Sequence, residues 1–169
     1  MKKIITLFVL LMIVLLGLTG CSDNESQNIK GQEMTSEEIA LKLKEQNTNV
    51  GKIVTYTEET DINELLGRPN QYSSKTTFED TRIEQTNQYL DEDFFTEEER
   101  NEPIGGTIEV FETEEDMLKR KKYLEDITST MSVFAEYSYS KGVYLLRLNK
   151  SLTPTQAEEY EKIFYEIVR

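Results

Sequence analysis

Val133-Phe134-Ala135-Glu136-Tyr137-Ser138-Tyr139-Ser140-Lys141-Gly142-Val143-Tyr144-Leu145-Leu146-Arg147-Leu148-Asn149 is the stretch that decides the fold. Tyr and β-branched residues alternate with Ser on one side of Lys141-Gly142, and apolar residues dominate the other side. That pattern predicts two strands, Val133 to Tyr139 and Val143 to Asn149, joined as a hairpin. Thr153-Pro154-Thr155-Gln156 follows after three residues. A Thr at the N-cap, Pro at the first helical position and Gln three residues after the cap predict a closing helix. Its apolar face is Ala157, Tyr160, Phe164, Ile167 and Val168.

Upstream, the signals continue in the same style. Thr35-Ser36-Glu37-Glu38 forms a capping box that opens a helix to about Gln46, with Ile39, Ala40 and Leu43 on one face. Residues 50–58 alternate as a half-buried strand. Asp61 is placed to cap one turn from Ile62 to Leu66, with Gly67 at the left-handed end position and Pro69 beyond it. Tyr72 to Ile83 is expected as a second strand, and Thr107 to Glu112 as a third, with Ile108 and Val110 on one side. Thr113 is expected to cap a helix to about Ile127 whose stripe is Met117, Leu124 and Ile127. Hairpins combined with helices of one apolar stripe each predict an α+β domain. The expected architecture is an antiparallel-rich sheet of four to five strands, with two to three helices packed mainly on one face.

The chain begins differently. Lys2 and Lys3 precede an apolar run from Ile4 to Leu18, which ends in small residues and Cys21, the only cysteine among 169 residues. A charged start, a short apolar middle and a small-residue exit are the layout of a secretory signal, and the run is short for a spanning helix. Leu18-Thr19-Gly20-Cys21 resembles the lipobox of bacterial lipoproteins. That resemblance implies cleavage before Cys21, a diacylglyceryl group on its thiol, and membrane attachment on the extracytoplasmic face. The layout is similar to small lipoproteins of Gram-positive bacteria. So are Glu64-Leu65-Leu66-Gly67-Arg68-Pro69-Asn70, Gly105-Gly106-Thr107-Ile108-Glu109-Val110-Phe111 and the run from Leu145 to Pro154, which carry structural punctuation and no chemistry. The expected organisation is a signal peptide at 1–20, a lipidated Cys and polar tether at 21–34, and one domain at 35–169.

Composition excludes several function classes. There is no His and only one Cys, so Ser-His-Asp and Cys-His sites, Cys/His zinc sites and an intrachain disulfide are out of reach. Asp and Glu number 32 against 19 Lys and Arg, a net charge of −13; loss of Lys2 and Lys3 with the leader takes it to −15. Such a chain is repelled by phosphate backbones, so no nucleic-acid partner is expected. No cofactor is implied either.

Three features remain as candidate sites. Residues 84–104 form an acidic loop in which Asp91 and Asp93 flank Glu92 and precede Phe94-Phe95. Read as a calcium loop, it places Phe95 at the fifth position and Thr96 where glycine must turn the chain, so a solvated loop is expected rather than a metal site. Tyr137, Tyr139 and Tyr144 on the hairpin suit an interface, because Tyr buries area at low entropic cost, and equally suit ordinary sheet packing. Lys119-Arg120-Lys121-Lys122, with Glu115, Glu125 and Asp126 nearby, reads as an ion-paired helix face. The resulting expectation is a non-catalytic binding module at the cell surface. Its contacts are Tyr137, Tyr139, Tyr144, Asp91 and Asp93, and its partner is an envelope protein or a basic peptide. The rivals are an immunity or exclusion lipoprotein of a mobile element, and a wall glycan hydrolase using two carboxylates.

Overall fold

A computed structural model describes residues 34–85, 97 and 101–169. The leader, Cys21, the tether up to residue 33, Asp91 and Asp93 lie outside the described residues. Helix α1 (Ser36–Gln46) precedes strands β1 (Val50–Thr55), β2 (Tyr72–Asp80) and β3 (Gly105–Phe111). Helix α2 (Glu114–Thr130), a 3-10 turn (Ser132–Phe134), the hairpin β4 (Glu136–Lys141) and β5 (Tyr144–Asn149), and helix α3 (Pro154–Ile167) follow. The strands form one antiparallel sheet in the order β1-β2-β3-β5-β4. The α+β class and the antiparallel sheet are as expected.

Local chemistry sets the helix starts. The Thr35 side chain accepts from Glu38 N while the Glu38 side chain accepts from Thr35 N, and Thr153 with Gln156 repeats the arrangement at α3. Each box satisfies two of the amides that a helix start leaves unbonded. Asp61 caps its turn as expected, its Oδ2 accepting from Leu65 N at 2.9 Å and Leu66 N at 3.0 Å. Gly67 ends that turn at φ +76°, where a side chain would be strained and a Cβ would fall 2.3 Å from Glu58 Oε1.

The two faces of the sheet differ in kind. On one, Phe78, Ile108, Val110, Leu146 and Leu148 pack against Ile39, Ala40 and Leu43 of α1 and Ala157, Tyr160 and Phe164 of α3, all buried. This is the larger core. The other face carries a smaller core of Tyr56, Leu66, Tyr72, Phe111, Met117 and Leu145, with α2 laid over it. Two of the three helices therefore share one face. A register shift between Tyr72 and Ser74 adds Tyr72 to the second face: Tyr72 pairs with Phe111 and Ser74 with Val110, so the extra residue turns Tyr72 toward α2.

One strand starts later than its alternation suggests. Val133 and Phe134 belong to the 3-10 turn, Phe134 N donates to Met131 O at 3.0 Å, and strand geometry begins only at Glu136. The helix before them runs on to Thr130 instead of stopping near Ile127, and β1 ends at Thr55 instead of reaching residue 58. Apolar side chains at Val133 and Phe134 imitated a strand's period, but they lie at the surface with no sheet beneath them.

Candidate functional site

The α2 face of the sheet carries buried charge. Glu109 on β3 is fully buried and receives two arginines at once. Arg120 of α2 donates from Nε to Oε2 at 3.1 Å and from Nη2 to Oε1 at 3.2 Å; Arg147 of β5 donates from Nη1 to Oε1 at 3.0 Å. Arg147 then grips Glu136 of β4 through Nε at 2.9 Å and Nη2 at 2.8 Å. Strand register produces this chain of contacts. Arg147 pairs with Thr107 on one side and Ser138 on the other. Glu109 and Glu136 lie two residues from those partners, on the same face and diagonal to Arg147. The formal charges of the four residues cancel. Burial disfavours the charged guanidinium, but Glu109 and Glu136 outweigh it and hold the Arg147 pKa above its ordinary value.

A second buried pair lies across the same face. Lys75 Nζ donates to Asp61 Oδ1 at 2.8 Å and sits 4.4 Å over the Tyr56 ring. Tyr72 Oη donates to Asp61 Oδ2 at 2.6 Å. Burial alone would raise the Asp61 pKa. Lys75, the Tyr72 hydroxyl and the two turn amides outweigh it and lower it to about 2. Asp61 borders a shallow hollow of about 710 Å³ with Glu58, Glu59, Glu64 and Arg68, yet its own oxygens are fully engaged, so it is a structural anion.

The surface feature not absorbed by the fold is an apolar groove of about 430 Å³ where the end of α2 meets the hairpin. Leu124, Ile127, Met131, Val133 and Phe134 line it, and Arg147 with Lys150 form its polar end. Val133 is 66% exposed, Phe134 53% and Met131 48%. Lys150 Nζ donates to Val133 O at 2.9 Å and fixes the turn that presents these side chains. Exposed apolar side chains gathered at one place, unlike scattered ones, mark a contact surface. Arg147, which lines it, is held in place by Glu109 and Glu136.

The hairpin tyrosines sit on the opposite face. Tyr137 Oη donates to Leu152 O at 3.1 Å, and Tyr144 Oη accepts from Met34 N at 3.1 Å. Tyr139, half-buried, packs with them against the larger core. The structure brings the three together, and two of their hydroxyls fasten neighbouring segments. The basic run divides. Lys119 pairs with Glu115 at 2.9 Å and Lys122 with Asp126 at 3.0 Å, as an ion-paired face requires, whereas Arg120 turns inward to Glu109. Reading the sequence missed the groove. Its signal is the apolar cluster Met131, Val133 and Phe134 immediately after a helix, of which the alternation places Val133 and Phe134 in a strand.

Among the described residues no group of three or more carboxylate or cysteine side chains is arranged to hold a metal ion, and no helix is long and apolar enough to cross a membrane. No family model matches the chain, and no curated protein or solved structure is significantly similar to it.

Proposed function

We propose that this chain is a lipid-anchored, non-catalytic binding module on the extracytoplasmic face of a bacterial membrane, and that it engages a protein partner through the apolar groove beside β4. The observation that carries this reading is the exposure of Met131, Val133 and Phe134 together along one groove, bounded by the Arg147–Glu136 ion pair. Apolar contacts at the centre and a charged rim are how transient protein interfaces are built.

The position of the groove supports the same reading. Met34, where the tether meets the domain, is bonded to Tyr144 at the start of β5, while the groove gathers around Asn149 and Lys150 at its other end. Along the strand these points are separated by about 17 Å at 3.3 Å per residue. The groove therefore lies at the end of the sheet away from the attachment. Acyl attachment at Cys21 raises the local concentration of the module, so a modest affinity suffices. The absence of His, with the single Cys assigned to the anchor, removes Ser-His-Asp and Cys-His catalysis from the alternatives.

A photoreactive amino acid in place of Phe134 tests the contact surface in cells. Irradiation is expected to join the chain to a polypeptide other than itself, and the product is expected to disappear when Met131→Ser and Val133→Ser are added. The same probe at the exposed Glu158 of α3 should give no such product. Equal yields from both positions, or no foreign polypeptide from Phe134, would contradict the reading.

A further inference from the structure

The sheet has two edges, and they are finished differently. At β1 the register shifts between Val50 and Ile53, and Lys52 N turns to Glu79 Oε2 at 2.8 Å, so that edge is broken and its amide is occupied. These are the devices by which edge strands avoid pairing with other chains. At β4 they are missing. Its register with β5 runs without interruption from Glu136 to Lys141, it contains no Pro, and its interior, Tyr137-Ser138-Tyr139-Ser140, carries no charge.

From these features we infer that the chain forms a symmetric dimer, in which β4 of one copy adds antiparallel to β4 of a second copy and the five-stranded sheet is doubled. The tight turn at Gly142-Val143 directs the amides and carbonyls of Lys141, Tyr139 and Tyr137 toward β5, and leaves those of Glu136, Ser138 and Ser140 facing outward. A two-fold axis perpendicular to the sheet keeps its faces aligned, so residues opposite one another must share a face. Centring the pairing on Ser138 meets that condition. Ser138 then faces Ser138 of the second copy, Glu136 faces Ser140, and Tyr137 faces Tyr139.

Three observations favour this register. Ser138 Oγ is buried, and among the described residues it has no hydrogen-bond partner; rotation about χ1 on pairing turns it to the Ser138 hydroxyl of the second copy. Lys121 Nζ rests 3.3 Å from Ser140 Oγ, with no carboxylate in salt-bridge range among the described residues. Pairing therefore delivers Lys121 of each copy to Glu136 of the other, twice by symmetry. Tyrosine pairs opposite one another on the other face are favoured cross-strand neighbours. Moving the axis to Tyr139 keeps a tyrosine pair but sets Glu136 opposite Gly142, away from Lys121, so the charge pairing singles out the Ser138 register. The net charge of −13 on each copy opposes association at long range, but at physiological ionic strength charges beyond about 8 Å are screened and the local pairs decide.

The inference is independent of the anchor and of the groove's ligand, and disulfide trapping on the full chain in membranes tests it. In the hydrogen-bonded pair at the axis the Cα atoms are about 5.5 Å apart, within disulfide range. Mild oxidation of Ser138→Cys is expected to give a covalent dimer. In this register Ser140→Cys stands about 14 Å from its counterpart, at 3.4 Å per residue, and should give only background, as should Lys52→Cys on the β1 edge. The unaltered chain controls for Cys21. Its sedimentation in detergent, with no substitution, is expected to correspond to two chains. A monomer in sedimentation with no trapped Ser138→Cys product would overturn the dimer. So would equal trapping at Lys52→Cys, or a trapped product with a different polypeptide.

Discussion

Arg147→Ala is expected to lower the stability of the domain by about 3–5 kcal/mol, the cost of removing one partner from a buried ion-pair network. The reason is local. Arg147 donates to both Glu109 and Glu136, so its loss leaves Glu136 without a cation among the described residues and Glu109 with Arg120 alone. Glu109 exposes no surface to solvent in the intact domain. Urea unfolding followed by circular dichroism measures the change, and a loss below about 1 kcal/mol, as for a surface pair, would show that the network is solvated. The fourfold replacement Glu109→Leu, Arg120→Met, Glu136→Leu and Arg147→Met is expected to recover most of the loss, because well-packed apolar residues substitute for buried ion networks with little penalty.

Phe78→Ala is expected to be as damaging, at about 3–5 kcal/mol, through the larger core. Phe78 is fully buried near the end of β2, with its ring centroid 5.4 Å from that of Tyr160. The sequence makes room for it: a Cβ on Gly106, its partner across the strands, would stand 2.4 Å from Phe78 Cζ and 2.8 Å from Leu148 Cδ2. Gly106→Ala therefore destabilises the wild-type domain by about 1–3 kcal/mol through overpacking. In a Phe78→Leu background the same change is expected to cost less, and the difference between the two, read from a double-mutant cycle of unfolding curves, measures the contact. Additive losses would mean that Phe78 and Gly106 do not share that space.

These two sites also mark how far the sequence could be read. Signals confined to a few residues were legible, because short-range chemistry completes them: Thr35 with Glu38, Thr153 with Gln156, and Asp61 with Gly67 all form what their spacing implies. The strand and helix content followed from periodicity, and with it the α+β class. The inward turn of Arg120 was hidden among Lys119, Lys121 and Lys122, since only the position of Glu109 across the sheet distinguishes it from its neighbours. The same limit hid the groove. Whether Val133 and Phe134 lie in a strand or on an exposed turn depends on where α2 ends, and no capping residue announces that end. The tyrosines were legible as a cluster, but their hydroxyl partners, Leu152 O and Met34 N, come from segments distant in sequence.

The central claim is that Cys21 is an acyl anchor and that everything described here stands outside the cell on its leash. Intact-mass analysis of the native protein extracted from membranes tests it most directly. The expected product begins at Cys21, lacks the first twenty residues and carries the mass of a diacylglyceryl group on the thiol. A free thiol at Cys21 with the leader still attached, or the protein recovered from the cytosol, would contradict it.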